Sequence, residues 1–405
     1  MLNWVILDSK ERGANYGIGT FVHGLARSIK SIPDVKLYII EIGEPAYNEL
    51  QIREIEGITY IHIPFFLGRT AILTDKVRNQ EKFAARILDL VYFLFRDSDN
   101  TIIHVNYLYH YFIAKTFKQR IKCSVIFTCH LLMHDEIKKQ EPVSDIEFPA
   151  YELFDLIIAV SHSVKEFLIK KKNIPAEKIK VIYNGLLMIQ QGKDDNTLEI
   201  RNSLGISKDE KIILFTGRFD TIKGLEFLIP AFRKVVEELN NTRLLIAGDG
   251  DYARMIMLSK GIQGKITFLG HVSHHELINI YRIADIGVVP SLDESFGYVA
   301  LEMISAGLPL VATRVGGLPE IVKYADNALV VDMLSDKSNK YGHIPDVPMM
   351  ASYIVKLLTR TSQNEKSLQP DGNSRIVEVF SAEKMAMTYL KTIINVFNPI
   401  TEYYG

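Results

Sequence analysis

Cysteine is nearly missing from this chain: Cys123 and Cys129 are the only two among 405 residues. Two thiols supply neither a disulfide framework nor a four-cysteine zinc site, so the expected setting is reducing and cytoplasmic. Long apolar runs are missing too. The most apolar segments, Ile87 to Phe95 and Leu153 to Val160, fall far short of the ~20 residues needed to cross a bilayer, which predicts a chain that does not span a membrane. The opening MLNWVILDSK lacks a basic stretch ahead of an apolar one and meets Asp8 early; it reads as a first strand rather than a signal peptide. Charge of one sign is also missing. Lys and Arg number 47 against 48 Asp and Glu, so no global field draws nucleic acid or an anionic membrane surface. A Gly-x-Gly-x-x-Gly is absent as well, which argues against a dinucleotide-dependent oxidoreductase.

What is present is a regular alternation. Short apolar runs bounded by turn residues alternate with longer helical patterns, the signature of βαβ units and parallel sheets covered on both faces. The fold class is therefore α/β, and the length predicts two domains. In the first half, strands are expected near Trp4-Leu7, Leu37-Ile42, Thr59-His62, Ile102-Val105, Ser124-Thr128, Leu156-Val160 and Lys180-Ile182, with helices at Thr20-Lys30 and Asp75-Phe95. After Asn184-Gly185 the polar stretch Gln190 to Asn196 reads as a linker. The second half predicts strands at Ile212-Thr216, Arg243-Ala247, Ile266-Leu269, Ile286-Pro290, Leu310-Ala312 and Ala328-Val331. Helices are expected between them at Leu225-Leu239, Tyr252-Lys260, His275-Ile283, Phe296-Ala306 and Pro319-Tyr324. The division is thus 1–190 and 197–380, with a final helix in 381–405, Ala382 to Phe397, packing back toward the first domain after a polar Ser362-Asn373 loop.

Ligands of open α/β sheets bind beyond the carboxyl ends of strands, where helix N-termini offer unpaired N-H groups. Gly217-Arg218 and Lys223-Gly224 stand at such an end, before a helix. A guanidinium and an ammonium there suit two adjacent phosphates with no metal between them; the alternative is a capped loop with solvated charges. Glu294 to Glu302 follows the next such strand end. Ser295 is the expected N-cap, which would aim the amides of Phe296, Gly297 and Tyr298 at an anion. Glu302 would then lie ~6 residues into the helix, about 9 Å along its axis. Carboxylates so spaced can hold hydroxyls at both ends of a molecule with a diphosphate between them, which describes a nucleotide sugar. A surface or salt-bridged glutamate is the other reading of Glu302.

Weaker signals lie elsewhere. Gly17-Ile18-Gly19 opens the first helix as a small glycine loop or a plain tight turn. His130 follows the Ser124-Thr128 strand and can donate to reacting oxygens or serve the core. His134 lies one turn on, and His271, His274 and His275 cluster, but neither group carries a full zinc ligand set. Asp249-Gly250-Asp251 reads as a strand-to-helix turn in which Gly250 approaches the ligand. Lys138-Lys139, Lys170-Lys171-Lys172 and the basic residues of Arg69 to Arg86 make solvated faces or a peripheral membrane contact, and the Phe83, Leu90, Leu94 stripe carries the same choice.

Together these motifs resemble glycosyltransferase family 4, the retaining enzymes of the GT-B fold with two Rossmann-like domains facing a cleft. Gly217-Arg218 through Lys223-Gly224 and the Glu294, Glu302 pair carry the resemblance. Ala247-Gly248-Asp249-Gly250, Phe268-Leu269-Gly270, Ala306-Gly307-Leu308-Pro309 and Gly316-Gly317-Leu318-Pro319-Glu320 extend it over roughly residues 155–335. It implies that Arg218 and Lys223 neutralise a donor diphosphate, Glu302 holds the ribose and Glu294 the sugar. His130 would approach the sugar, backbone at His271-Val272 would hold the base, and Gly17 and Gly19 would form the acceptor-side loop. The resemblance also implies no metal and no cofactor beyond a sugar-nucleotide co-substrate, with a UDP-sugar favoured. Acceptors would be a saccharide, a lipid-linked glycan or a peptide in glycan or glycoconjugate biosynthesis. The polar insertion Ser335 to Lys340 departs from the pattern and receives no role. Rival readings are a sugar-nucleotide epimerase or phosphorylase of the same fold, which an incubation with donor alone separates, and a catalytically silent donor-binding partner subunit.

Overall fold

A computed structural model of the chain describes residues 1–9, 17–30, 32–42, 49–64, 77–96, 98, 100–130, 144–187, 197–363 and 370–397. The chain divides into two units, Met1–Leu187 with Phe380–Gly405, and Met188–Val379. The stretch read as the linker, Gln190 to Asn196, lies outside the described residues, as do His134 and Lys138-Lys139.

The first unit is built on an eight-stranded sheet. Its strands are β1 (Leu2–Ser9), β2 (Val35–Ile42), β3 (Gln51–Ile55), β4 (Ile58–His62), β5 (Thr101–Val105), β6 (Cys123–Cys129), β7 (Leu156–Ala159) and β8 (Ile179–Val181). They lie in the order β3-β4-β2-β1-β5-β6-β7-β8. All neighbours are parallel except β3 and β4. Central strands covered on both faces must be apolar throughout, and Trp4, Val5, Ile6 and Leu7 of β1 are all fully buried. The edge strand β3 is the one the apolar pattern does not announce. Its sequence QIREI is mostly exposed, and its charges guard an edge that would otherwise invite further pairing.

Helix Val77–Phe95 buries Phe83, Ile87, Val91 and Phe95, one residue per turn. The stripe is therefore core, and its register differs from the expected one: Leu90 and Leu94 are only half-buried. Lys170, Lys171 and Lys172 form the last turn of helix His162–Lys172, where cations complement the helix dipole. Among the described residues no helix is long and apolar enough to cross a membrane.

The last helix, Ala382–Phe397, packs on Gly17–Ile29 of the first unit. Leu186 ties it in. The Leu186 N-H donates to the Phe380 carbonyl at 2.8 Å, and the Ala382 N-H donates to the Leu186 carbonyl at 3.0 Å. From this helix Tyr389 enters a buried polar chain: its hydroxyl shares a 2.9 Å hydrogen bond with Thr128 Oγ1, which lies 2.7 Å from His104 Nε2. The Trp4 indole N-H donates to His104 Nδ1 at 3.3 Å, so the imidazole proton sits on Nε2 and points at Thr128. Burial holds His104 down to about 3, so the chain carries no charge near neutrality. Tyr389→Phe is expected to cost about 0.5–1.5 kcal/mol, the net value of one such bond, read as a lower Tm. An unchanged Tm would show that the chain adds nothing to the docking of this helix.

The second unit has a wholly parallel six-stranded sheet. Its strands are β9 (Lys211–Thr216), β10 (Thr242–Ala247), β11 (Ile266–Gly270), β12 (Ile286–Val289), β13 (Leu310–Thr313) and β14 (Ala328–Val331), in the order β11-β10-β9-β12-β13-β14. This is the doubly wound arrangement in which the connections reverse between the first and fourth strands, here β9 and β12. Helix Leu225–Glu238 buries Leu225, Leu228, Ile229, Phe232 and Val235, a 3.6-residue stripe. It shares a core with Phe215 and Ile246 of the sheet and Ile354 and Leu357 of helix Val347–Gln363.

One segment left without a role is placed here, and one expectation is corrected. The polar insertion is an antiparallel hairpin, β15 (Met333–Ser335) and β16 (His343–Pro345). Its strands are three residues long, too short to show a period. The polar segment expected as a loop over Ser362-Asn373 is helical at both ends, in Val347–Gln363 and Pro370–Phe380. Pro370 stands at the first helical position, where its missing N-H costs nothing.

Candidate functional site

Because connections run in opposite directions from β9 and β12, a crevice opens beyond their carboxyl ends. The Arg218–Lys223 segment leaves β9, and the Ser291–Glu294 loop follows β12. Lys223 ends a single 3-10 turn, and Gly224 caps helix Leu225–Glu238 with φ 68°. A side chain at Gly224 would overlap the Pro290 carbonyl, so glycine is what allows the two loops to touch. They meet in one ion pair: Lys223 Nζ donates to Glu294 Oε2 at 2.7 Å, with both side chains largely buried. Arg218 pairs with Asp220 at 2.8 Å but is 57% exposed. An exposed pair is worth only ~0–1 kcal/mol, so Arg218 can exchange Asp220 for a stronger anion at little cost.

The Glu294 loop is held from four directions. The Leu292 N-H donates to the Ile222 carbonyl at 2.8 Å and the Gly317 N-H to the Glu294 carbonyl at 2.9 Å. Thr313 Oγ1 donates to the Ser291 carbonyl at 2.6 Å. His343 Nε2 donates to the Leu292 carbonyl at 2.8 Å, since a carbonyl can only accept. Gly316, with φ 49°, lies so close to the Glu294 carbonyl that a β-carbon would overlap it. Such anchoring fixes the carboxylate's position before any ligand arrives.

Ser295 is not the N-cap. The helix runs Tyr298–Ser305 and is capped by Gly297, with no side-chain cap bond. The close approach of Gly316 and Gly317 to residues 294–296 outweighs the capping preference and keeps Ser295 and Phe296 in the loop. Glu302 therefore lies about 6 Å along the helix, not 9 Å. It is buried, and neither a surface position nor a salt bridge describes it. The Tyr281 phenol donates to Glu302 Oε2 at 2.8 Å. Burial raises the Glu302 pKa, opposed by the Tyr281 hydrogen bond and by His274. A buried carboxyl that makes no salt bridge among the described residues is one that a ligand's hydroxyls can satisfy.

Other predicted positions divide. Gly250 does form the expected strand-to-helix turn, with Asp251 capping helix Tyr252–Leu258. Its close approach, however, is to Phe219, whose backbone and Cβ a side chain would strike. His271 and Val272 follow β11, ahead of helix His274–Ile283, whose N-cap Ser273 forms a capping box with Glu276. Among the described residues no three of His, Cys, Asp or Glu come together to hold a metal. In the first unit, Gly17 and Gly19 lie in the first turn of helix Gly17–Ile29. The sheet order reverses between β1 and β5, and Asn106 follows β5 there. His130, just after the adjacent β6, donates from Nε2 to Asn106 Oδ1 at 3.0 Å, and the Phe21 ring meets it edge-on at 4.6 Å. Burial holds His130 down to about 3, so it is neutral near pH 7 with its lone pair on Nδ1. Asn106, Tyr281, Thr313 and His343 escaped the sequence reading. Of these Asn106 and Thr313, each one residue past an expected strand end, carried a positional signal.

The comparisons with known proteins bear on the fold and the family. The family description Glycosyltransferase Family 4 matches residues 17–186, and Glycosyl transferases group 1 matches residues 196–340. An uncharacterized glycosyltransferase of Methanocaldococcus jannaschii is 41% identical over 181 residues, covering 43% of this chain and 46% of the relative. N-acetyl-alpha-D-glucosaminyl L-malate synthase of Bacillus anthracis is 27% identical over 297 residues, covering 71% of this chain and 73% of the relative. The first of these matches spans under half of its relative. Among solved structures, Anabaena HepE in complex with UDP and glucose aligns with TM-score 0.70 at 15% identity, covering 97% of this chain and 99% of that one. Two doubly wound α/β units of this kind define the GT-B class of fold. The chain belongs to glycosyltransferase family 4, its two halves matched by the two family descriptions in succession.

Proposed function

We propose that the protein transfers a sugar from a nucleoside diphosphate sugar, a UDP-sugar first, to an acceptor hydroxyl with retention of configuration and without a metal. The observation that carries this reading is the Lys223–Glu294 pair at 2.7 Å, an ammonium and a carboxylate side by side beyond the carboxyl ends of β9 and β12. Lys223 and Arg218 neutralise the diphosphate as it takes the electron pair of the breaking glycosidic bond. The acceptor oxygen forms the new bond to the same carbon, and its proton passes to the departing phosphate. Glu294 holds sugar hydroxyls, Glu302 the ribose, and the backbone at His271-Val272 the base. His130 serves the sugar as a neutral hydrogen-bonding group, and Gly17 and Gly19 serve the acceptor, a saccharide, lipid-linked glycan or peptide. A relative solved with UDP and glucose supports the donor class.

The test is a thermal-shift and turnover panel of UDP-, ADP-, GDP- and TDP-sugars, with and without EDTA. One base is expected to raise Tm, since a ligand at ~100 times its Kd adds about 2.7 kcal/mol to the folded state. Transfer is expected to survive EDTA, and the product's anomeric proton to keep the donor's configuration by NMR. Flat Tm values across the panel would remove the donor reading, and activity lost to EDTA and restored by a divalent ion would remove the metal-free one.

A further inference from the structure

The hairpin β15–β16 has no part in the sheet, yet it reaches the loop that carries Glu294. We propose that His343 is a positioning residue for the sugar-nucleotide donor, and that the hairpin is the rigid arm that sets it. This rests on the reading above.

The starting point is one residue. Leu292 is fully buried; its N-H donates to Ile222 and its carbonyl accepts from His343 Nε2, both at 2.8 Å. Ile222 precedes Lys223, and Glu294 lies two residues beyond Leu292, so this unit joins both halves of the Lys223–Glu294 pair. Releasing its carbonyl would free the Leu292–Asp293 peptide to rotate, while the Leu292 N-H stays on Ile222, and would carry Glu294 away from Lys223.

The arm is built to resist that rotation. Met333, Leu334 and Ser335 pair with Pro345, Ile344 and His343. Asp336 Oδ1 accepts from the Ser338 N-H at 2.9 Å, Asn339 Oδ1 from the Tyr341 N-H at 2.9 Å, and the Asp336 N-H donates to the Gly342 carbonyl at 3.0 Å. Beyond β16, Asp346 Oδ1 accepts from the Met349 N-H at 2.9 Å, tying the hairpin into helix Val347–Gln363. That helix packs against Leu225–Glu238, the helix that follows Lys223. Hairpin, phosphate segment and Glu294 loop thus share one support. The bond from His343 is made by the Nε2 proton alone, so a glutamine, which places an amide N-H at similar reach, should replace it, while a methionine of similar length should not.

The test measures binding of whichever of UDP, ADP and GDP binds the wild-type chain most tightly, with donor KM, acceptor KM and kcat, for wild type, His343→Ala, His343→Gln and His343→Met. His343→Ala and His343→Met are expected to weaken nucleotide binding and raise donor KM by ~10-fold or more, as small misplacements of site groups do. Acceptor KM should stay within about threefold, and His343→Gln should bind and turn over like wild type. If Ala unfolds, the Gln and Met pair still decides. Equal nucleotide affinity in Gln and Met variants overturns the proposal, as does a matched loss of Tm with donor KM unchanged. A wild-type chain that binds none of the three nucleotides overturns the functional reading, and this inference with it.

Discussion

Glu302→Gln is expected to raise the thermal stability of the ligand-free protein while weakening donor binding by about 10- to 100-fold, the value of a hydrogen bond to a charged group at 1.5–3 kcal/mol. Both effects come from the burial of this carboxylate. Its folded pKa is raised above the usual carboxylate value by desolvation, with the Tyr281 phenol and His274 acting against the rise. For a carboxyl raised on folding, the favourable contribution is complete below the unfolded pKa and is lost as pH rises through the folded one. As rising pH ionises this carboxyl, the wild-type chain must hold a poorly solvated negative charge. Glutamine keeps an oxygen for the Tyr281 hydroxyl and removes the charge. The gain in Tm should be larger at pH 8 than at pH 5, and the loss of donor affinity should appear at both. A variant less stable than wild type at pH 8, or one that binds donor equally well, would show that Glu302 is an ordinary core residue. Such a trade of stability for function is common at sites shaped for a ligand.

Gly316→Ala is expected to abolish measurable turnover, a loss of at least ~100-fold, in a protein that still folds. Alanine at φ 49° costs about 1–2 kcal/mol in backbone strain, which a chain of this size can absorb. The overlap with the Glu294 carbonyl is the larger matter. It can be relieved only by moving the Glu294 loop or the segment after β13, and the Gly317-to-Glu294 hydrogen bond joins the two. Gly205 supplies the control. It also has a left-handed backbone, φ 64°, but nothing lies within 4 Å of its would-be side chain. Gly205→Ala should therefore lose stability alone, and Gly316→Ala should lose donor binding as well. Similar turnover in the two variants would mean that the glycine at 316 answers to backbone conformation and not to the site.

The parts of the site legible in the sequence were those defined by one strand end and the residues just after it. Arg218, Lys223 and Glu294 each follow an apolar run that can only be a buried strand, and βαβ order places such positions on one edge of the sheet. The hairpin and β3 were not legible because their strands are short or charged and show no apolar period. Ser295 was misplaced for a different reason. Capping preference is worth about 1 kcal/mol, and the contact of Gly316 and Gly317 with residues 294–296 decides where the helix starts.

By itself, then, the amino-acid sequence determined the α/β alternation, the strand ends and the kinds of charge that stand there, because burial and turn chemistry act over a few neighbouring residues. Tertiary structure alone decided which charges meet. Lys223 and Glu294 are 71 residues apart and form one pair, Glu302 finds its partner in Tyr281, and His343 reaches the Leu292 carbonyl across 51 residues. Contacts at that separation depend on sheet order and on close packing of loops, which no local pattern of residues encodes.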